Sequence, residues 1–316
     1  MVSALDKKPV EREAPSTAVV TRPRNRQRRR DALAAAIFLT PSMVGFGLFV
    51  ILPALVGLGL SFFKWDLFGT PQWVGGDNFT RLLQDSAMWS SLWTTVEFVV
   101  LGVIPTILCG FVLAVVINSR MRGIGALRIL YFAPMVASSA VAAVLWSYMY
   151  DPRSGVANRI LGWVGIDGPA WLSSTTWALP AMTVMMIWLA LPLVMILYLA
   201  GLQRIPDDIY AAAALDGAGR WRQLWSITWP NVRSTTIMVA TLQVINYMSN
   251  SFEVSLIMTD GGPLDHTQTL ALYAYKTAFG NSDMGYASAL CLFQLVIIGL
   301  AVLVFKVGAR IFRRSA

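Results

Sequence analysis

The chain has 316 residues, a formal net charge of +8, 56% apolar residues and only 13% charged ones. A soluble globular domain carries about 25% charge, so this balance excludes a water-soluble fold and also a disordered chain. The positive charge makes no nucleic-acid face, because the basic residues crowd the N-terminus and flank long apolar runs.

Residues 1–31 hold nine of the 25 Lys and Arg residues, including Arg28, Arg29 and Arg30. They read as a disordered tail attracted to anionic lipid headgroups. No aromatic residue is interleaved with the arginines, as a single-strand nucleic-acid surface would need.

The gaps between charges then give the architecture. Ala32–Phe63, Ile129–Tyr150, Gly168–Gln203 and Met284–Phe305 contain no charged residue. Ser86–Ser119 contains only Glu97, and Ser234–Thr259 only Glu253. Crossing the hydrocarbon takes about 20 mostly apolar residues. The prediction is an all-α membrane protein: six transmembrane helices within a domain of residues 32–309, followed by a short cytoplasmic tail, 310–316. The first apolar run is too long for a signal peptide and lacks a small-residue cleavage site. Pro53, Pro105, Pro134, Pro180 and Pro192 each remove a backbone donor inside a span and read as packing kinks. Gly45, Gly47, Gly57 and Gly59 read as points of close helix contact.

Orientation follows from the cations. With the N-terminus inside, the inner segments 1–31, 118–128, 201–233 and 306–316 hold twenty Lys and Arg residues. The outer segments hold Lys64, Arg81, Arg153, Arg159 and Lys276. This bias places both termini in the cytoplasm. Trp65, Trp73, Trp89, Trp93, Trp163, Trp171 and Trp177 gather near the outer loops, where amphipathic rings prefer the interface.

Residues 204–230, between the fourth and fifth spans, form the most informative loop. Pro206 suits a first helical position, and Asp207 and Asp208 suit the first turn against the helix dipole. Ala211, Ala212, Ala213 and Ala214 are strong helix formers. Asp216-Gly217 ends that helix, since glycine tolerates the left-handed stop. A second short helix is expected from about Arg220 to Trp229, closed by Pro230. Trp221, Leu224, Trp225 and Thr228 share one helical face. The tryptophans either pack back onto the spans or dock a partner.

Ala212, Ala213, Asp216, Gly217, Ala218, Trp225, Ile227 and Pro230 resemble the EAA motif of the membrane subunits of binding-protein-dependent ABC importers. Thr259-Asp260-Gly261-Gly262-Pro263, Thr269-Leu270-Ala271-Leu272-Tyr273 and Gly285-Tyr286-Ala287-Ser288-Ala289 resemble the fifth-to-sixth-helix region of carbohydrate-importing permeases of that class, such as those for maltose, trehalose or glycerol phosphate. The resemblance implies a type I importer permease fold with a cytoplasmic coupling-helix hairpin in the plasma membrane. It also implies a second homologous permease, an ABC ATPase dimer and an extracytoplasmic solute-binding protein as partners. ATP and Mg would be bound by the ATPase, leaving no cofactor in this chain. In this picture Ala211, Ala212, Ala213, Asp216, Gly217, Ala218, Trp221 and Trp225 meet the ATPase, and the spans alternate between inward and outward access. The family's leading Glu is Ala211 here, which removes a charge-assisted contact of about 1–3 kcal/mol if desolvated.

In the fifth span Gln243, Asn246, Tyr247, Asn250 and Glu253 recur at helical spacing on one face. Polar side chains in lipid are costly, so the stripe faces either another helix or a solute path, with Gln294 and Trp188 as further lining residues. Amides and a Tyr hydroxyl suit sugar hydroxyls; a glycerophosphoryl or polyol solute is the alternative for the same machine. Cys109 and Cys291 read as small apolar residues, and His266 as an outer-loop surface residue. With one His and no paired Cys there is no metal site, and no Walker loop is present. A secondary transporter is the rival reading; it usually shows internal repeats in a longer chain.

Overall fold

The computed structural model describes residues 25–118 and 133–314, with side chains over 31–118 and 133–308. Most of the predicted basic tail, the inner segment 119–128, the start of the third predicted span and the last two residues lie outside the described residues. The chain divides into two compact units, Met1–Leu55 and Val56–Ala316.

In the first unit, α1 (Asn25–Phe46) passes through a π-helical turn (Gly47–Ile51) into α2 (Leu52–Leu60), whose remainder belongs to the second unit. The turn has a cause. Pro53 cannot donate, and its ring would clash with the carbonyl four residues back. The Leu52 N–H instead reaches the Gly47 carbonyl, which opens the helix by one residue just before the proline. No described side chain from 31 to 55 is buried.

The second unit continues with a two-stranded hairpin, β1 (Phe63–Lys64) and β2 (Gln72–Trp73), which pairs Phe63 with Trp73 and Lys64 with Gln72. Then follow α3 (Asp77–Gln84), α4 (Ser86–Asn118), α5 (Ser139–Met149), α6 (Val156–Trp163), α7 (Ala178–Leu202), α8 (Asp207–Leu215), α9 (Arg220–Gln223), α10 (Trp229–Met258), α11 (Leu270–Tyr275) and α12 (Met284–Arg314). Among the described residues, Asp31–Leu60, Ser86–Asn118, Ala178–Leu202 and Met284–Gly308 are long and apolar enough to cross a membrane. At 30 residues α10 is long enough, but it carries the polar stripe. The third predicted span is not one helix where it is described. A 3-10 turn at Ala133–Val136 precedes an 11-residue α5, whose N-terminus is capped by Ser138 accepting from the Val141 N–H. Pro134 and the serine cap together explain the break.

α4, α7 and α10 enclose the main core, built from Phe98, Met182, Met185, Met186, Tyr247 and Met248. A second cluster joins Phe111, Met195, Tyr198 and Val232. The close helix approaches differ from those expected. A methyl group on Gly45, Gly47, Gly57 or Gly59 meets nothing within 4 Å. At Gly102 it would lie 1.9 Å from the Tyr247 ring, and at Gly110 2.4 Å from Val194. Cys109 and Cys291 are free and exposed on the helices.

Residues 259–270 lock the loop between α10 and α12. Thr259 and Thr267 hydroxyls lie 2.7 Å apart, the Thr267 hydroxyl donates to the Gly262 carbonyl, and the Leu270 N–H donates to Thr95 on α4. Gly285 is required sterically, because a Cβ would stand 1.9 Å from the Phe63 carbonyl oxygen. Nearby, Asp85 accepts from the hydroxyls of Tyr273 and Tyr286 at 2.6 and 2.5 Å. Burial raises the Asp85 pKa, but these two donors and backbone N–H groups outweigh it and hold the carboxyl below its usual range. Burial and the bond to Asp85 push the Tyr273 hydroxyl up to about 12. Arg81 pairs with Asp283 at 2.6 Å and stands 4.0 Å over the Tyr286 ring. His266 is exposed in this loop, as its position suggested.

Candidate functional site

The elbow of residues 204–230 is built by local chemistry. Pro206 takes an extended conformation at the N-cap of α8, one residue earlier than the expected helical position. Asp207 and Asp208 occupy the first turn. Gly217 adopts φ +76°, and the Ala218 N–H returns to the Ala213 carbonyl at 2.9 Å, which closes the helix end. The Gln223 amide donates to the Ala218 carbonyl at 2.9 Å, and the Tyr210 and Thr228 hydroxyls lie 3.0 Å apart. These bonds tie one arm of the elbow to the other.

The second arm corrects the sequence reading. Pro230 does not close it. α9 runs through a π-helical turn, Leu224–Thr228, directly into α10. The Trp229 N–H reaches the Leu224 carbonyl just before Pro230, the same accommodation seen at Pro53. The arm is therefore the base of α10, the helix of the fifth predicted span. Its tryptophans form a ladder: Trp229 packs on Phe111 of α4 at 5.1 Å, Trp225 on Trp229 at 6.0 Å, and Trp221 stacks on Trp225 at 6.4 Å. Trp229 is half-buried, whereas Trp225 is 57% and Trp221 72% exposed. Ala211, Ala212, Asp216 and Gly217 are exposed, and Ala213 and Ala218 half-buried.

The second candidate site is a groove of about 520 Å³ beside α10. Pro134, Met135, Leu189 and Leu193 supply apolar walls; Gln243, Asn246, Ser249 and Asn250 supply the polar side. The amides form a chain in which Asn250 donates to Asn246 at 2.8 Å and Asn246 to Gln243 at 3.3 Å. The stripe read as one face thus divides. Tyr247 is fully buried against α4, its hydroxyl 3.0 Å from Thr106 and its ring 5.4 Å from Phe98. Gln294 donates to the Met248 carbonyl at 3.4 Å. Trp188 lies 5.7 Å from Trp146 in an aromatic row that continues through Tyr150, Trp171 and Trp177. Glu253 is half-buried and accepts from the hydroxyl of Ser139, the first residue of α5. The structure therefore brings Gln243, Asn246 and Asn250 to one groove and leaves Tyr247, Trp188 and Gln294 outside its lining. Ser249 is the polar lining residue that sequence reasoning passed over, and its spacing from Asn246 was the available signal; the aliphatic wall residues were passed over too.

A family model described as binding-protein-dependent transport system inner membrane component matches residues 100–315. The chain belongs to that family. It is an integral membrane permease of the ABC class, a transport subunit and not an ATPase. YesP of Bacillus subtilis (strain 168), named as a probable ABC transporter permease, is 34% identical over 90% of this chain and 94% of its own length. The trehalose/maltose permease MalF of Thermococcus litoralis is 30% identical over 90% of this chain and 96% of its own. Among solved structures, a chain of a bacterial ABC transporter that imports the acidic polysaccharide alginate superposes with a TM-score of 0.77 at 24% identity, over 90% of this chain and 97% of that one. This likeness establishes the ABC importer permease fold.

Proposed function

We propose that this permease carries a sugar or sugar-like solute across the plasma membrane, as one of two homologous permeases fed by an extracytoplasmic binding protein. Six crossings with both termini inside agree with the twenty cations on the inner side. Residues 204–230 seat in a separate ATPase, whose closure on ATP moves α10 because the elbow and that helix are continuous. The groove supplies the solute path. A trehalose/maltose name among the relatives supports a sugar.

The observation that carries this reading is the amide chain Gln243–Asn246–Asn250 set among aliphatic walls. Amides both donate and accept, which matches hydroxyls, and the walls suit the apolar faces of a sugar ring. The test is uptake and solute-stimulated ATP hydrolysis by the assembled transporter, with a panel of neutral disaccharides including trehalose and maltose. Asn246→Ala with Asn250→Ala removes two hydrogen-bonding groups of about 1 kcal/mol each, an expected loss of roughly tenfold or more in uptake with assembly intact. Unchanged uptake would reduce the amides to helix bracing.

A further inference from the structure

The groove's lining contains no charged side chain, yet a carboxylate stands one turn away. Glu253 lies three residues beyond Asn250 on α10, and its partner Ser139 lies two residues beyond Ala137, which lines the opposite wall. The Glu253–Ser139 bond therefore joins the two walls just past the lining. Among the described residues, no ion pair to Glu253 is formed. The ion pairs Arg81–Asp283 and Lys276–Asp260 involve other carboxylates. No Lys or Arg occurs in 178–203, 234–259 or 284–305. Ser139 donates one hydrogen bond and carries no charge.

We infer that Glu253 is a specificity-determining residue, a fixed negative charge beside the groove that selects against acidic sugars and for uncharged ones. The inference rests on the reading of the groove as the solute path and deepens it by naming the solute's charge. At an effective dielectric of about 20, a unit charge roughly 10 Å away changes the local concentration of a second unit charge by about tenfold. The aliphatic walls lower the effective dielectric, so the effect is screened less than it would be at an open surface.

The test needs no knowledge of the natural solute. In the assembled transporter, with Cys109→Ala and Cys291→Ala, Ser249→Cys places a thiol in the groove. Its modification rates are measured with two methanethiosulfonate reagents, one ending in trimethylammonium and one in sulfonate. The cation-to-anion rate ratio, referred to a free thiol, should be about a hundredfold higher with Glu253 than with Glu253→Gln, because the charge favours the cation and disfavours the anion by about tenfold each; Gln keeps an acceptor for Ser139. Glu253→Asp should restore it. An equal ratio in Glu253→Gln and the parent overturns the charge filter while leaving the solute path standing. A thiol at 249 inert to both reagents shows that water does not reach the groove, and overturns the path and the filter together.

Discussion

The elbow and the polar stripe of α10 break the usual partition in opposite directions. At the elbow, large apolar rings stand in the open: Trp221, Trp225 and Leu215 are 72%, 57% and 90% exposed. On α10, polar side chains sit among hydrocarbon. The stripe can meet most of its own needs, since Tyr247 bonds Thr106, Asn250 bonds Asn246 and Glu253 bonds Ser139. The elbow cannot, because no hydrogen bond compensates an exposed indole face. Exposed apolar surface thus points outward to a partner more directly than buried polar surface points to a ligand.

The largest expected effect lies inside the stripe and separates its structural half from its solute-facing half. Tyr247→Ala empties a fully buried site between α4 and α10 and orphans Thr106. By analogy with Phe and Trp truncations it should cost about 3–5 kcal/mol, read as a large fall in thermal or denaturant midpoint of the purified permease. Tyr247→Phe should cost only about 1 kcal/mol. Gly102→Ala, driven into the same ring, should also destabilise. If Tyr247→Ala melts like the parent but abolishes uptake, the ring touches solute and the division of the stripe is wrong.

The elbow should behave in the opposite sense. Trp221→Ala with Trp225→Ala removes exposed rings, so the melting temperature should hardly move. Interface tryptophans typically contribute about 2 kcal/mol or more, so ATPase association should weaken by about 30-fold or more in a pull-down or titration with the purified ATPase. Trp229→Ala should instead destabilise the fold, because that ring is anchored on Phe111. A double variant that unfolds while still holding its ATPase would turn the ladder into core.

How much of this the sequence discloses differs between the regions. Charge gaps expose the long helices, and Asp216-Gly217 exposes the bend, because both depend on local chemistry. The continuity of the elbow with α10 is hidden, since Pro230 reads as a stop and only the π-helical turn lets the chain pass it. The break before α5 is hidden for a related reason: an uncharged run reads as one helix whatever its backbone does. Helical spacing puts Tyr247 in the stripe but cannot report that Gly102, far away in sequence, leaves a socket for its ring. The place of Trp188 in an aromatic row is hidden in the same way, since Trp146 and Trp171 come from other elements.

The smallest expected effect concerns the one departure from the motif. Ala211 is exposed at the midpoint of α8. Replacing it by Glu costs little helix propensity. It places a third acid three and four residues after Asp208 and Asp207, a like-charge penalty of a few tenths of a kcal/mol. The permease should therefore fold and assemble normally. If this face meets a basic residue of the ATPase, the added carboxylate contributes about 1 kcal/mol at a partly exposed rim, and association tightens by a few-fold at low salt. The gain should fade as ionic strength rises, because the Debye length is only about 8 Å at physiological salt. An Ala211→Glu variant that folds but no longer holds its ATPase would show that this side of α8 lies against an apolar or acidic surface, and would move the contact to the tryptophan arm alone.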